Sequence, residues 1–479
     1  MSKTKRLAKN TLFVLVSRAI QPVMSLVLFL VVARVLGPEI FGKYTVIFQL
    51  YLVFQVTSSF GLRLLLTREI AANKDEVNKY FANGMLLNVP LVVVNVGMML
   101  LLIVLLNYET DISIGAYIIA ISLIASSFVE VGAGVLGGFE DFQKYTIGWI
   151  IFLVIKTVAS IVALLTGYGL ISLIVIHVVT KYLHAGITLL FALKYIDRSK
   201  LQLDPAFSKK LFSMTWSLAL LIIITQVFWR IDIIVLSKIV SNEEVGNYSA
   251  AYKLFKVILL GIRSFFVAFF PVISAMYVEK PEEFQNACRK AIRYLVILTL
   301  PLVIVIAFTA PDFMPLIWGA EFGEATLVLQ ILIWSLIPFT ITEVLGSAFV
   351  ASNRQKTHMT LNIIVLLIKL ALVYFLSIKY GAIGSAIATI IGLVILTMLQ
   401  LPFIIPRIIS LNYKSLSSTA LKLGVASLAM IPVVFYVSQI NFIAAALVSI
   451  MVYGLVLVLL NTFPPDDRKY LNRMVKRTA

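Results

Sequence analysis

The sequence predicts an all-α polytopic membrane protein of about fourteen transmembrane helices, built as two parallel six-helix repeats plus two C-terminal helices. Three observations carry that prediction. The 479 residues are 61% hydrophobic and 13% charged, against roughly half apolar and a quarter charged in soluble domains, and the mean hydropathy is +1.00. Apolar runs of about 20 residues recur along the chain, each long enough to cross a hydrocarbon core of about 30 Å. The punctuation between these runs is spelled twice.

The basic N-tail MSKTKRLAKN leads into an apolar stretch from Thr11 to Val32. That stretch is too long for a signal-peptide core and no small-residue cleavage site follows it, so it reads as an uncleaved first span, 11–33. The later spans are expected at 43–62, 84–106, 114–136, 145–166 and 170–193 in the first half. The second half continues with 212–236, 248–278, 289–309, 325–350, 358–378 and 382–405, and 417–438 and 441–461 close the series. The connections alternate in charge. Counted with the adjoining span ends, the N-tail, even loops and C-tail hold 28 Lys and Arg, against 4 in the odd loops. The positive-inside rule then puts both termini in the cytoplasm of a multi-pass cell-membrane protein. It also explains the net charge of +17 without nucleic acid as a partner.

ARVLGPEIFGKY runs from Ala33 to Tyr44, and SKIVSNEEVGNY from Ser237 to Tyr248. Arg34 and Lys238, Glu39 and Glu243, Gly42 and Gly246, and Tyr44 and Tyr248 match at an offset of 204. A second match stands at an offset of 212, where Gln143-Lys144 meets Gln355-Lys356 and Tyr168-Gly169 meets Tyr380-Gly381. Six spans separate the copies, so both halves enter the membrane in the same direction. Parallel repeats are a standard transporter plan, with the substrate held at the repeat interface. The expected domains are an N-terminal six-helix lobe over 1–200, a C-terminal six-helix lobe over 201–410, and two extra helices with a basic tail over 411–479.

Beyond those counted with the loops and span ends, eight cations remain inside spans: Arg18, Lys156, Lys181, Arg230, Lys253, Lys256, Arg263 and Lys369. Three acids join them, Glu130, Asp232 and Glu343. A charge at mid-span costs roughly 2.5–3.5 kcal/mol on insertion scales, so an unbalanced set calls for an anion or water. Lys253, Lys256 and Arg263 lie within about 80° of one helix face. Arg18, Gln21, Pro22 and Ser25 share a face of the first span, and Tyr51, Gln55, Ser58 and Ser59 one of the second. Gln226 and Arg230 stand one turn apart, with Asp232 close by. Polar stripes on apolar spans face a wet cavity, because lipid cannot satisfy them. The candidate substrate-binding residues are therefore Arg18, Gln21, Gln55, Lys156, Arg230, Asp232, Lys253, Lys256, Arg263 and Lys369. The competing readings are snorkelling of Arg18, Lys181 and Lys253 to an interface, and a structural ion pair between Arg230 and Asp232.

Other signals are discounted. Gly132, Gly134 and Gly137 fit G-x-G-x-x-G, but inside a span and after no strand, so they read as small residues for helix packing. His177 and His184 share a face without a third ligand, which argues against a metal site. The lone Cys288 excludes an internal disulfide, and no phosphate-binding loop for ATP is present. No cofactor and no catalytic residue is expected.

The run RAIQPVMSLVLFLVVARVLGPEIFGKY, followed by SSFGLRLLLTREIA, resembles the N-terminus of polysaccharide-transporter flippases. These belong to the multidrug/oligosaccharidyl-lipid/polysaccharide exporter superfamily. The L-G-x-x-x-F-G turn from Leu36 to Gly42 is the specific part, and the twin halves with two added spans extend the likeness over the whole chain. The resemblance implies a fold like that of the multidrug and toxin exporters. It also implies flipping of polyprenyl-diphosphate-linked oligosaccharide, such as polysaccharide or O-antigen-type repeat units, by alternating access. The head would sit in a cationic central cavity, with Arg18 as a cavity arginine. Implied partners are the lipid-linked glycan, the bilayer, and glycan polymerase or other polysaccharide-assembly proteins around a monomeric transporter.

Three alternatives stay open. A peptidoglycan-precursor flippase shares the plan. A multidrug/cation antiporter would need an acidic cavity, against the eight-to-three cation excess. A membrane glycosyltransferase would need carboxylates on a large outer loop, and the outer loops here are short.

Overall fold

The computed structural model describes the backbone over residues 3–404 and 413–463. Side chains are described there apart from 3–19, 59, 217–218, 221–222 and 413–416. The side chain of Arg18 thus lies outside the described residues. Among those described, every regular element is helical. In the first half these are α1 (Lys3–Ser59), α2 (Leu62–Ala72), α3 (Val77–Leu106), α4 (Thr110–Gly138), α5 (Phe142–Leu165) and α6 (Leu170–Ala192). There follow α7 (Pro205–Phe228), α8 (Ile231–Leu236), α9 (Asn242–Glu279), α10 (Pro281–Trp318), α11 (Gly323–Leu332) and α12 (Leu336–Ala351). The series ends with α13 (Gln355–Ile404), α14 (Tyr413–Ser438) and α15 (Phe442–Leu459). Among the described residues, eleven helical stretches are long and apolar enough to cross a membrane, and two of the long helices each contain two rods. The chain is a multi-pass helical membrane protein.

The two long helices break at glycines. Gly37 (φ 73°) interrupts α1 just before Pro38, and Gly381 (φ 54°) interrupts α13. Both angles lie in the left-handed region, where a side chain would clash with its own backbone. A third break follows Trp229, where α7 ends and α8 starts after Arg230. The sequence predicts one uninterrupted span over 212–236. Instead, the polar Arg-Ile-Asp triplet falls where the ladder is broken. Caps elsewhere are simple. The Asp204 carboxylate accepts from the Ala206 and Phe207 amides at 2.9 and 3.0 Å, with Pro205 opening α7. Asn441 does the same for α15.

The chain divides into two compact units, Met1–Ser249 and Ala250–Ala479. The first has a core of Leu62, Leu66 and Ile70 on α2 against Val131, Val135 and Leu136 on α4. The glycines of α4 make that approach possible. A Cβ on Gly134 would stand 2.7 Å from the Leu66 Cβ, and one on Gly132 3.0 Å from the Thr188 methyl on α6. Where lipid and side chain are equally apolar, helices associate by this kind of close packing. In the second unit α14 and α15 pack on α10 through Ile304, Leu423, Met430, Val434 and Tyr453.

The repeated turn has a structural counterpart within the first unit. A Cβ on Gly42 would collide with the backbone carbonyl of Asn242, and a Cβ on Gly246 with that of Pro38. The Gly246 amide nitrogen would stand 3.0 Å from the first of these, and the Gly42 nitrogen 3.3 Å from the second. Only two glycines permit so close a crossing. Charged and polar groups surround it. Lys43 reaches Glu39, Glu109 and Asp111 at 3.4, 3.1 and 3.3 Å. Asn242 donates to both Glu109 oxygens at 3.1 Å, and Lys238 sits 4.5 Å from the Tyr108 ring centroid.

Candidate functional site

In the first unit, Arg230 projects from the α7–α8 break. Its Nε donates to the Gln226 carboxamide oxygen at 3.2 Å, and a terminal nitrogen donates to that of Gln49 at 3.4 Å. Asp232, 1% exposed, accepts from the Tyr248 hydroxyl at 3.3 Å. The turn from Arg230 to Asp232 is therefore tied to α1 on one side and to α9 on the other. Gln55 is half-buried and Gln21 exposed, both on α1. Close to Gln55 on that helix, Thr57 donates to the Asn95 carbonyl, and the Asn95 amide donates to Ser58.

A different face of α1 carries the other cation. The Lys156 ammonium lies 4.8 Å from the Phe48 ring centroid. Phe48 and Gln49 are neighbours in the chain and so point about 100° apart around the helix. Lys156 and Arg230 consequently address separate faces, and the structure does not gather them at one point. Behind Phe48, His177 packs edge-on at 5.0 Å and Lys181 stands over Trp149 and Phe152. Glu130 lies 3.6 Å from Arg63.

In the second unit, the face of α9 carries Lys253, Lys256 and Arg263, all partly buried. The Lys256 ammonium lies 4.6 Å from the Tyr252 ring centroid, and the Arg263 guanidinium 5.5 Å from that of Phe339. Glu343 on α12 is within electrostatic reach of Arg263. Lys369 stands apart on α13, fully buried, with its stem against Gly392. An offset of 204 carries Phe48 to Tyr252, so each unit places a lysine ammonium over the same repeat-equivalent ring.

Sequence reasoning missed Gln49 and Tyr248. Gln49 had a signal, since the same offset carries it to Lys253. Tyr248 had one as well, because it is half of the repeated turn. The sequence shows His177 and His184 on one face and Lys181 within the same span, but not the rings of α5 and α1 around them, because aromatic contacts across helices leave no spacing pattern within any one of them.

The polysaccharide biosynthesis protein family matches residues 7–277, and the MatE family matches residues 218–375. A capsular polysaccharide biosynthesis protein CapF of Staphylococcus aureus is 24% identical over 244 residues, 47% of this chain and 62% of that one. A chain named as the low-salt glycan biosynthesis flippase Agl15 of Haloferax volcanii is 22% identical over 35% of this chain and 36% of its own. The matched stretches thus span less than two thirds of these two relatives. A chain named as an O-antigen transporter of Shigella flexneri is 26% identical over 84% of this chain and 98% of its own. In solved structures, the lipid II flippase MurJ in an inward closed conformation superposes with a TM-score of 0.73 at 18% identity, over 93% of this chain and 98% of its own. An inward-facing multidrug resistance MATE family transporter of the MOP superfamily gives 0.67 at 16%, over 81% and 96%. The fold is that of these transporters. With more than half of its length matched by one family, the chain belongs to the polysaccharide biosynthesis protein family.

Proposed function

We propose that the protein is a flippase and not an enzyme, moving polyprenyl-diphosphate-linked oligosaccharide across the cytoplasmic membrane by alternating access. The observation that carries this reading is the excess of in-span cations over acids on a transporter fold. A lipid-linked glycan has a tail that stays in the bilayer and an anionic, polar head that cannot enter it. In the first unit Arg230, with Gln49, Gln55 and Gln226, offers such a head a charge-assisted hydrogen bond and carboxamide partners; in the second unit, taken by itself, Lys253, Lys256 and Arg263 offer positive charge on one helix face. Asp232 fixes the Arg230 turn through Tyr248. Gln21 on α1 adds a polar group beside these, whereas Lys156, on another face of α1, and Lys369, fully buried, stand outside this set. In this reading both termini are cytoplasmic, and the monomer works beside glycan polymerase or related assembly proteins.

Complementation of a strain lacking its polysaccharide flippase tests the proposal, scored beside membrane expression. The wild-type chain should restore export. Arg263→Ala should keep expression and lose roughly 10-fold or more in export, the equivalent of one charge-assisted hydrogen bond of about 1.5–3 kcal/mol. Rescue of a strain lacking its lipid II flippase, with no rescue of glycan export, would favour a peptidoglycan precursor instead, a reading the MurJ-like fold admits.

A further inference from the structure

Helix α6 turns His177, Lys181 and His184 onto one face, at spacings of four and three residues. The face is deeply buried, at 4%, 3% and 0% exposure. One ring, Phe152 on α5, holds all three. The Lys181 ammonium is 5.2 Å from its centroid, the His184 ring is stacked on it at 5.3 Å, and the His177 ring stands edge-on at 6.1 Å. Phe48 and Tyr51 close the His177 end at 5.0 and 4.9 Å. Trp149 closes the other, 5.6 Å from the Lys181 ammonium.

The cluster is rich in donors and poor in acceptors. Both ring nitrogens of each histidine are buried without a hydrogen-bond partner. Lys181 has no hydrogen-bond or ion-pair partner among the described residues. Lys156 adds a second ammonium at Phe48, the ring that His177 also touches. The acid within electrostatic reach of Lys181 is Glu130, and its carboxylate lies 3.6 Å from Arg63. An orphaned buried donor costs about 1–3 kcal/mol, and an uncompensated ammonium more. Contacts with aromatic faces return only about 0.5–2 kcal/mol each.

We propose that the first unit holds a small monovalent anion of the halide class against Lys181, His177 and His184. Each neutral imidazole offers one N–H and the ammonium three, all compact donors. None is the planar fork that suits a carboxylate or phosphate. The rings leave space among compact donors that suits a small ion rather than a sugar. The site lies inside one helix bundle and does not rest on the transport reading.

The test uses the full-length protein in lipid nanodiscs, held in gluconate at constant ionic strength. Chloride or bromide should raise the melting temperature saturably, and bromide should quench fluorescence that Trp149→Phe removes. Lys181→Gln should weaken apparent chloride affinity about tenfold or more, and Lys181→Arg should restore it. The wild-type titration stands even if Lys181→Gln does not fold. A wild-type melting temperature indifferent to halide would overturn the proposal, as would equal shifts in wild type and Lys181→Gln. A rise with pyrophosphate while chloride is inert would also overturn it, assigning the cluster to the carrier's diphosphate.

Discussion

At the scale of residues, the break at Arg230 concentrates the most chemistry. A partly buried guanidinium held by two carboxamides is fixed in position at the helix break. On the flippase reading proposed above, Arg230→Ala should abolish most glycan export with expression retained, while Arg230→Lys keeps the charge, loses the fork and retains partial export. Export assays normalised to membrane content decide it. A second group acts at the surface. Burial pushes the Asp141 carboxyl up, but hydrogen bonds from Lys144 at 2.5 Å and Tyr195 at 2.7 Å outweigh that and hold it below the usual carboxylate range. A depressed carboxylate stabilises the fold above its unfolded value of about 3.9 and loses that contribution as pH falls through the lower folded value. Asp141→Asn should lower the melting temperature near neutrality and flatten its decline below about pH 4. Melting curves from pH 7 to 3 would show it, and parallel curves for the two proteins would refute it. Residue types and spacing made the cations of α9 legible in the sequence. The partners of Arg230 were not, because Gln49 lies 181 residues away and its meeting with Arg230 is a tertiary fact.

At the scale of elements, apolar runs located the rods well and their breaks less well. Hydropathy averages over a window, so it reads the stretch around Arg230 as continuous span although the backbone is interrupted there. It also ends helices at the membrane surface, whereas α9 and α10 run on as 38-residue rods with polar ends. Glycines mark the joints more reliably. Gly37-Pro38 reads as a turn on conformational grounds alone, and Gly381 stands at the repeat-matched Tyr-Gly pair. The crossing at Gly42 and Gly246 gives the sharpest element-level expectation. Gly42→Ala or Gly246→Ala should force the two segments apart and cost about 1–3 kcal/mol, the usual penalty of overpacking. Thermal melts of the detergent-solubilised variants measure it. An unchanged melting temperature in both would mean that the segments do not meet.

At the scale of the whole molecule, the charge asymmetry of the loops predicts which ends face the cytoplasm. In a Cys288→Ser background, Ser241→Cys should react with an impermeant thiol reagent added outside intact cells, and Ser199→Cys should react only after lysis. The reverse pattern would invert the topology. The internal duplication has a further consequence at the glycine crossing. Pro38 and Asn242 are equivalent at the offset of 204, and so are Gly42 and Gly246. Gly42 abuts the carbonyl of Asn242 while Gly246 abuts that of Pro38, so the contact is its own image under exchange of the two copies. In the vocabulary of oligomers it is isologous, the kind of patch by which identical subunits form a two-fold dimer. A half-length chain bearing a single such turn would carry a surface complementary to itself.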